Sequence, residues 1–324
     1  MAVAVGLIAA FVGGSLSLAA GPEGQSMRGT WTAERSNWRV EKSGTLTILQ
    51  LSLRRVSPGH NWNSSQSVPL DELSGLTAAE VERSRSDVTF TWKRDAGAFA
   101  LEGRFDGGVG AGHFRFTPDP AYIAEMRRRG YDGIDEEKAL ALAIHDVSRV
   151  FAADIAGLGY GKVPLEKLIA LRIHGATADF IRGLARLGLR QLPLDQVLAF
   201  RIHGASLEFV REMQGLGLAG PSPEKLVAFR IHGVSPEFVR AFRASGYDRL
   251  TADQLVAMRI HGVRPEFVTE LKRLGYTGVP VDSLVAMRIH GVNAEFVRKA
   301  QGRAGKDVTV DRLVSMRIHS QDVE

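Results

Sequence analysis

Six copies of Arg-Ile-His, opening at Arg172, Arg201, Arg230, Arg259, Arg288 and Arg317, stand at a constant spacing of 29 residues. A weaker seventh copy, Ala143-Ile144-His145, lies one period earlier. Seven of the nine histidines therefore share one ladder: His145, His174, His203, His232, His261, His290 and His319. Imidazoles in a row suggest metal ligation, and guanidinium groups in a row suggest a grip on an anionic ligand. The metal reading fails on reach. Equivalent side chains on stacked helices run parallel, roughly 8–10 Å apart, while two imidazoles on one zinc must each come within about 2.0–2.1 Å of it. No metal or cofactor is expected.

Each ladder has a structural reading beside the functional one. A His in the last turn of a helix complements the helix dipole and can bond the terminal carbonyls. An Arg in an otherwise apolar helix can pair with an acid of the neighbouring repeat, and acids recur at Asp179, Glu208, Glu237, Glu266 and Glu295. Against this, a solenoid recognises partners through positions that repeat without being needed for packing. Arg230, Arg259 and Arg288 with His232, His261 and His290 meet that condition in the central repeats. They are the candidate partner-binding residues, suited to an acidic protein segment or an anionic polymer.

Catalytic signatures are poor. The chain contains neither His-Glu-x-x-His nor Gly-x-Ser-x-Gly, the segments that would place a metal base or a strained nucleophile. Gly157–Lys162 resembles a phosphate loop but is followed by Val163 where a magnesium-binding hydroxyl is needed. Gly108–Gly112 lies in a strand-like stretch and opens no helix, so it lacks the setting of a dinucleotide site. An enzyme built on His60 and His113 is the one catalytic alternative, and the expectation is a non-enzymatic protein.

The elements that must position the ladder follow from its period, which is the mark of a stacked repeat. In residues 232–260, Ser235 is an N-cap with Pro236 at the first helical position. Phe238, Val239 and Phe242 form an apolar stripe, and Gly246 supplies a left-handed stop. Thr251 to Gln254 is a capping box opening a second helix that ends at His261-Gly262. The aromatic recurs at Tyr122, Phe151, Phe180, Phe209, Phe238, Phe267 and Phe296. About seven helical hairpins are predicted over residues 118–320. Upstream, residues 27–117 alternate with period two: Val88, Phe90 and Trp92, then Phe99, Leu101 and Phe105 across an Asp/Gly turn. Further strands are predicted at Thr30–Glu34, Trp38–Glu41 and Thr45–Val56, with a loop over Ser57–Ser67. The fold class is α+β: a small antiparallel β-sandwich or open barrel followed by an α-solenoid, the two packing as one rigid body.

The chain has 324 residues and a net charge of +5. Its basicity is interleaved with acids: 12 Lys+Arg against 11 Asp+Glu in residues 1–117, and 29 against 25 in the rest. That is no nucleic-acid arm. Residues 1–20 carry no charge and end in a small-residue pattern, Ser17-Leu18-Ala19. This is the pattern of a cleaved signal peptide, with a membrane anchor as the alternative and no positive n-region before Arg28. There is no cysteine, so stability cannot come from disulfides. An extracytoplasmic location, periplasmic or secreted, is expected, with membrane contact only if the segment stays uncleaved.

Two resemblances extend these expectations. Arg94-Asp95-Ala96-Gly97-Ala98-Phe99, Glu102-Gly103-Arg104-Phe105, Phe114-Arg115-Phe116 and the Arg-Ile-His-Gly-Val-x-Pro-Glu-Phe-Val unit resemble extracytoplasmic bacterial modules. Those modules occur alone or attached to β-lactam-sensor-type membrane metallopeptidases. The resemblance spans about residues 30–320 and implies an exported repeat module without assigned activity; the peptidase's zinc motif is absent here. Locally, Leu250 to Ala257 followed by His261-Gly262 is similar to the opening helix and base-reading loop of TAL-effector repeats, which implies nucleic-acid binding as the alternative function. The 29-residue period, shorter than that family's, and the lack of variation in the loops count against it.

Overall fold

A computed structural model describes residues 27–40, 44–57, 60–218 and 221–319. The charge-free segment 1–20, with its choice between signal and anchor, lies outside the described residues. No described helix is long and apolar enough to cross a membrane. The chain divides into two compact units after Asp146.

The first unit carries one antiparallel sheet of β1 (Met27–Val40), β2 (Gly44–Ser57), β3 (His60–Pro69), β4 (Leu73–Ser74), β5 (Ser86–Arg94), β6 (Gly97–Asp106) and β7 (Val109–Pro118). Its order is β3-β2-β1-β7-β6-β5-β4, curled into a half-barrel. Of the two β architectures expected, the open barrel is therefore the one adopted. Alternation builds its core: Val88, Phe90 and Trp92 are buried while Asp87, Thr89 and Lys93 are exposed. Trp31 crosses β6 and β7 at Gly103 and Gly112, and its Nε1 donates to the Glu102 carbonyl at 3.1 Å. A Cβ on Gly103 would come within 2.7 Å of the Trp31 ring, so the indole needs glycine there.

Two strand expectations are corrected. Thr30–Glu34 and Trp38–Glu41 belong mainly to the single strand β1, and most of the expected loop Ser57–Ser67 is the edge strand β3. Ser, Asn and Gln read as loop by composition. An edge strand needs only one covered flank, and β2 supplies it, with Ser52 bonded to Ser65 and Gln50 to Ser67 at 2.5 and 2.7 Å. The unit also holds the short α1 (Ala78–Glu82) and the first hairpin, α2 (Pro120–Arg128) and α3 (Glu136–Ile144), whose α3 packs on β6 and β7.

The second unit contains α4 (Arg149–Ile155), which runs through a π turn to Tyr160, α5 (Leu165–Ile173), α6 (Ala178–Arg186), α7 (Leu194–Ile202), α8 (Leu207–Gly215) and α9 (Pro223–His232). It continues with α10 (Pro236–Ala244), α11 (Ala252–Ile260), α12 (Pro265–Arg273), α13 (Val281–Ile289), α14 (Ala294–Ala304) and α15 (Val310–His319). First helices α4, α6, α8, α10, α12 and α14 pack in series, and second helices α7, α9, α11, α13 and α15 form a parallel series beside them. Ser148, Thr177, Ser206, Ser235 and Asn293 cap first helices by accepting from the amide of the following aromatic. Gly246 and its equivalents lie at positive φ, as a left-handed stop requires.

Neighbouring repeats are tied by side chains placed 27 to 32 residues apart. Gln214, Lys272 and Gln301 donate to the last carbonyls of the preceding first helix at 2.9 Å. Lys167 pairs with Asp195, and Lys225 with Asp253. The hydroxyls of Tyr160, Tyr247 and Tyr276 donate to the carbonyls of Leu192, Val279 and Val308. Burial pushes the Tyr160 and Tyr247 hydroxyls above the ordinary phenol range. The unfolded chain ionises first, so their contribution is complete below pH about 10 and is lost as pH rises through the folded value. A melting series from pH 9 to 11 is expected to fall less steeply for a Tyr160→Phe, Tyr247→Phe chain than for the parent. Parallel slopes would mean that the phenols are not held by the fold.

Candidate functional site: the Arg-Ile-His edge

Each Arg-Ile-His copy of the second unit closes a second helix. The following Gly175, Gly204, Gly233, Gly262 and Gly291 have φ between 66° and 73°. The next amide then reaches five residues back: Ala176 to the Leu171 carbonyl, Val234 to Phe229, Val263 to Met258, all at 2.7–2.8 Å. This is a Schellman closure, and its apolar residue is buried in each case. It explains why Gly is followed by Ala or Val.

The arginines do not stand free on this edge. Arg172, Arg201, Arg230, Arg259, Arg288 and Arg317 each lay the guanidinium over the aromatic of their own first helix, from Phe151 to Phe296, at 4.3–5.3 Å. Arg201 Nε donates to the His174 carbonyl at 3.0 Å, Arg259 Nε to Gly233 at 2.6 Å and Arg288 Nε to Gly262 at 3.2 Å. These carbonyls end the preceding second helix, so each Arg caps its neighbour. A terminal nitrogen also packs over the glycine; a Cβ on Gly175 would sit 2.8 Å from Arg201 Nη2.

The expected pairing of these arginines with the next helix's acids is corrected. No salt bridge among the described residues involves Arg201, Arg230, Arg259, Arg288 or Arg317. Asp179 pairs with Arg182 at 2.8 Å, Glu237 with Arg240 at 3.1 Å and Glu295 with Lys299 at 2.9 Å, each within one turn of its own helix. Hydrogen bonds to the helix-start backbone and Ser235, with Arg240 beside it, hold the Glu237 carboxyl below the usual range. The acids serve helix starts and the arginines serve helix ends, as the dipole favours.

The histidines are corrected too. The imidazoles of His174, His203, His232, His261, His290 and His319 make no hydrogen bond among the described residues, and the terminal carbonyls go to Arg instead. All six are exposed except His261, which is half-buried. His145 differs: burial lowers its pKa. Beside the histidines runs a row that sequence reasoning passed over. Ile173, Ile202, Ile231, Ile260, Ile289 and Ile318 are 46–55% exposed, whereas Ile144 of the first hairpin is 2% exposed. The signal was available. Leu255 and Met258 face the core, and Ile260 lies about 200° round the helix from Met258.

Other candidate groups disperse. No three His, Asp or Glu side chains among the described residues could hold a metal ion together. His60 sits on β3 and His113 on β7, with β2 and β1 between them. That places their backbones about 14 Å apart across the sheet. Gly159, within the loop that resembled a phosphate cradle, is the stop glycine of its repeat at φ 94°. Comparison with family models, curated proteins and solved structures finds no match to this chain.

Phe238→Ala is expected to lower stability by about 3–5 kcal/mol as a core truncation. Arg259→Gln should cost about 1–3 kcal/mol through the lost cap and ring contact. In a double-mutant cycle read by urea unfolding, the two should couple by about 0.5–1 kcal/mol. Strict additivity would separate the guanidinium from the ring.

Proposed function

We propose that the chain is a non-enzymatic, extracytoplasmic binding scaffold whose repeat edge engages a protein or anionic partner. One observation carries this reading: the Ile side chains of six successive copies and the His side chains of five of them are exposed, while the Arg of each copy lies over a Phe ring. A half-exposed Ile is ordinary when single. Six in register form a row, and contiguous apolar surface rimmed by polar groups marks an interaction site. The binding residues are therefore His232, His261 and His290 with Ile231, Ile260 and Ile289. Arg230, Arg259 and Arg288 serve the fold first and offer the partner only their outer nitrogens. The uncharged N-terminal run and the resemblance to exported modules support the location. Nucleic-acid binding is the weaker reading, because exposed isoleucines interrupt the edge where a duplex reader needs an unbroken basic stripe.

An Ile231→Ser, Ile260→Ser, Ile289→Ser chain is expected to melt within a few degrees of the parent, since exposed positions change stability little. It should recover at least tenfold less partner from an envelope fraction. Unchanged recovery would move the binding surface elsewhere. Intact mass of the exported protein is expected to place its first residue between Ala20 and Gln25, and recovery of a Met1-bearing cytoplasmic form would contradict the location.

A further inference from the structure

We propose that the occupant of the Ile–His edge is an extended acidic peptide segment in polyproline II conformation, with an aliphatic side chain at every third residue. This rests on the binding function proposed above and names the chemistry of its partner.

Charge selects an acidic occupant. An Arg carries five N–H donors. Each ladder Arg gives one face to a Phe ring, and Arg201, Arg259 and Arg288 give Nε to a carbonyl. Although Glu266 and Glu270 line the same cleft as Arg288, no carboxylate of the chain comes within 4.0 Å of a nitrogen of Arg201, Arg230, Arg259, Arg288 or Arg317 among the described residues. Their terminal nitrogens and the imidazole N–H groups beside them are donors awaiting acceptors.

The rungs also select side chains. Between the last two copies lies a cleft of about 290 Å³ lined by Ile289, His290, Gly291, Arg317 and Ile318. Its two isoleucines suit one aliphatic side chain, with a guanidinium at hand for the neighbouring carboxylate. Both halves of the ligand chemistry are thus present within one step of the ladder.

Spacing selects the backbone. Equivalent positions on packed helices stand about 8–10 Å apart. A polyproline II chain advances about 9.3 Å in three residues, which matches one rung. A β-strand returns to the same face after about 6.8 Å and falls out of step by the second rung. A helical peptide would come back into register after two turns, near 10.8 Å, but its carbonyls are already bonded within the helix. Polyproline II carbonyls are free to accept from the edge's donors.

The test uses the chain in low salt with labelled synthetic peptides, read by fluorescence anisotropy. Repeated Leu-Pro-Glu should bind at least about tenfold more tightly, or 1.4 kcal/mol, than a shuffled peptide of the same composition. It should also outbind repeated Leu-Pro-Lys and lose at least tenfold on the Ile231→Ser, Ile260→Ser, Ile289→Ser chain. Equal binding of the shuffled peptide, or of polyglutamate, would overturn the proposal in favour of a simple polyanion site. Tighter binding of duplex DNA than of any peptide would overturn it in favour of a nucleic-acid edge. Binding of none of these probes also overturns it, yet leaves the scaffold function standing if envelope capture still depends on the isoleucines. Loss of that dependence would remove the scaffold function itself. The peptide comparisons use the unaltered chain, so they decide the matter even if the triple variant folds poorly.

Discussion

The last carbonyls of an α-helix have no partner within it, and in this repeat the next copy supplies one. A guanidinium reaches back 26 or 27 residues from Arg201, Arg259 and Arg288 to end the preceding second helix. The same group lies over a Phe of its own hairpin. One side chain therefore connects the two helices of one repeat to the end of another. The glycine beneath it is held to a left-handed φ, and at Gly175 the Arg201 nitrogen packed over it leaves a Cβ only 2.8 Å of room. Arg, Gly and Phe therefore meet at each of these rungs.

Similar reaches occur at the other end of the hairpins, where Gln214, Lys272 and Gln301 close the first helices of the repeats before them. Most of these ties point in one direction along the chain, each copy closing its predecessor. Stability is then a sum of hairpin terms and neighbour terms, as in other solenoids. The hydrophobic part is conventional, with Leu255 and Met258 or Leu226 and Phe229 set three residues apart on the covered face. The unusual part is polar. Helix ends that water would otherwise solvate are closed by the adjoining copy, which holds the backbone of the edge in one conformation.

At the first hairpin the scheme changes. Ala143 stands where the later copies have Arg, and Asp146 takes the left-handed position with φ 51°. Asp is among the few non-glycine residues that tolerate it. Its carboxylate lies 3.7 Å from Arg94, which also meets Glu72 at 3.0 Å and stacks on Trp92 at 4.6 Å. Arg94 thus stacks on an aromatic ring as the ladder arginines do, but it meets carboxylates where Arg201, Arg259 and Arg288 meet a carbonyl. Ile144 is buried here, so the exposed isoleucine row belongs to the second unit alone.

Much of the architecture was legible in the sequence because it is written in local chemistry. The 29-residue period, the Ser235 and Thr251 caps, the Gly246 and Gly262 stops and the alternation of Val88, Phe90 and Trp92 each act within a few residues of their position. Strand β3 was not legible, since its Ser and Asn residues are held by pairing with β2 and not by their own preference. The ladder's chemistry was only half legible. Periodicity marked Arg259 and His261 as equivalent rungs, but it could not say which groups the fold would consume. That was decided by stacking, which brings the Gly233 carbonyl of one copy against the guanidinium of the next and leaves Ile260 facing solvent. A contact between residues 26 positions apart depends on how helices pack, and packing is a property of the assembled repeats.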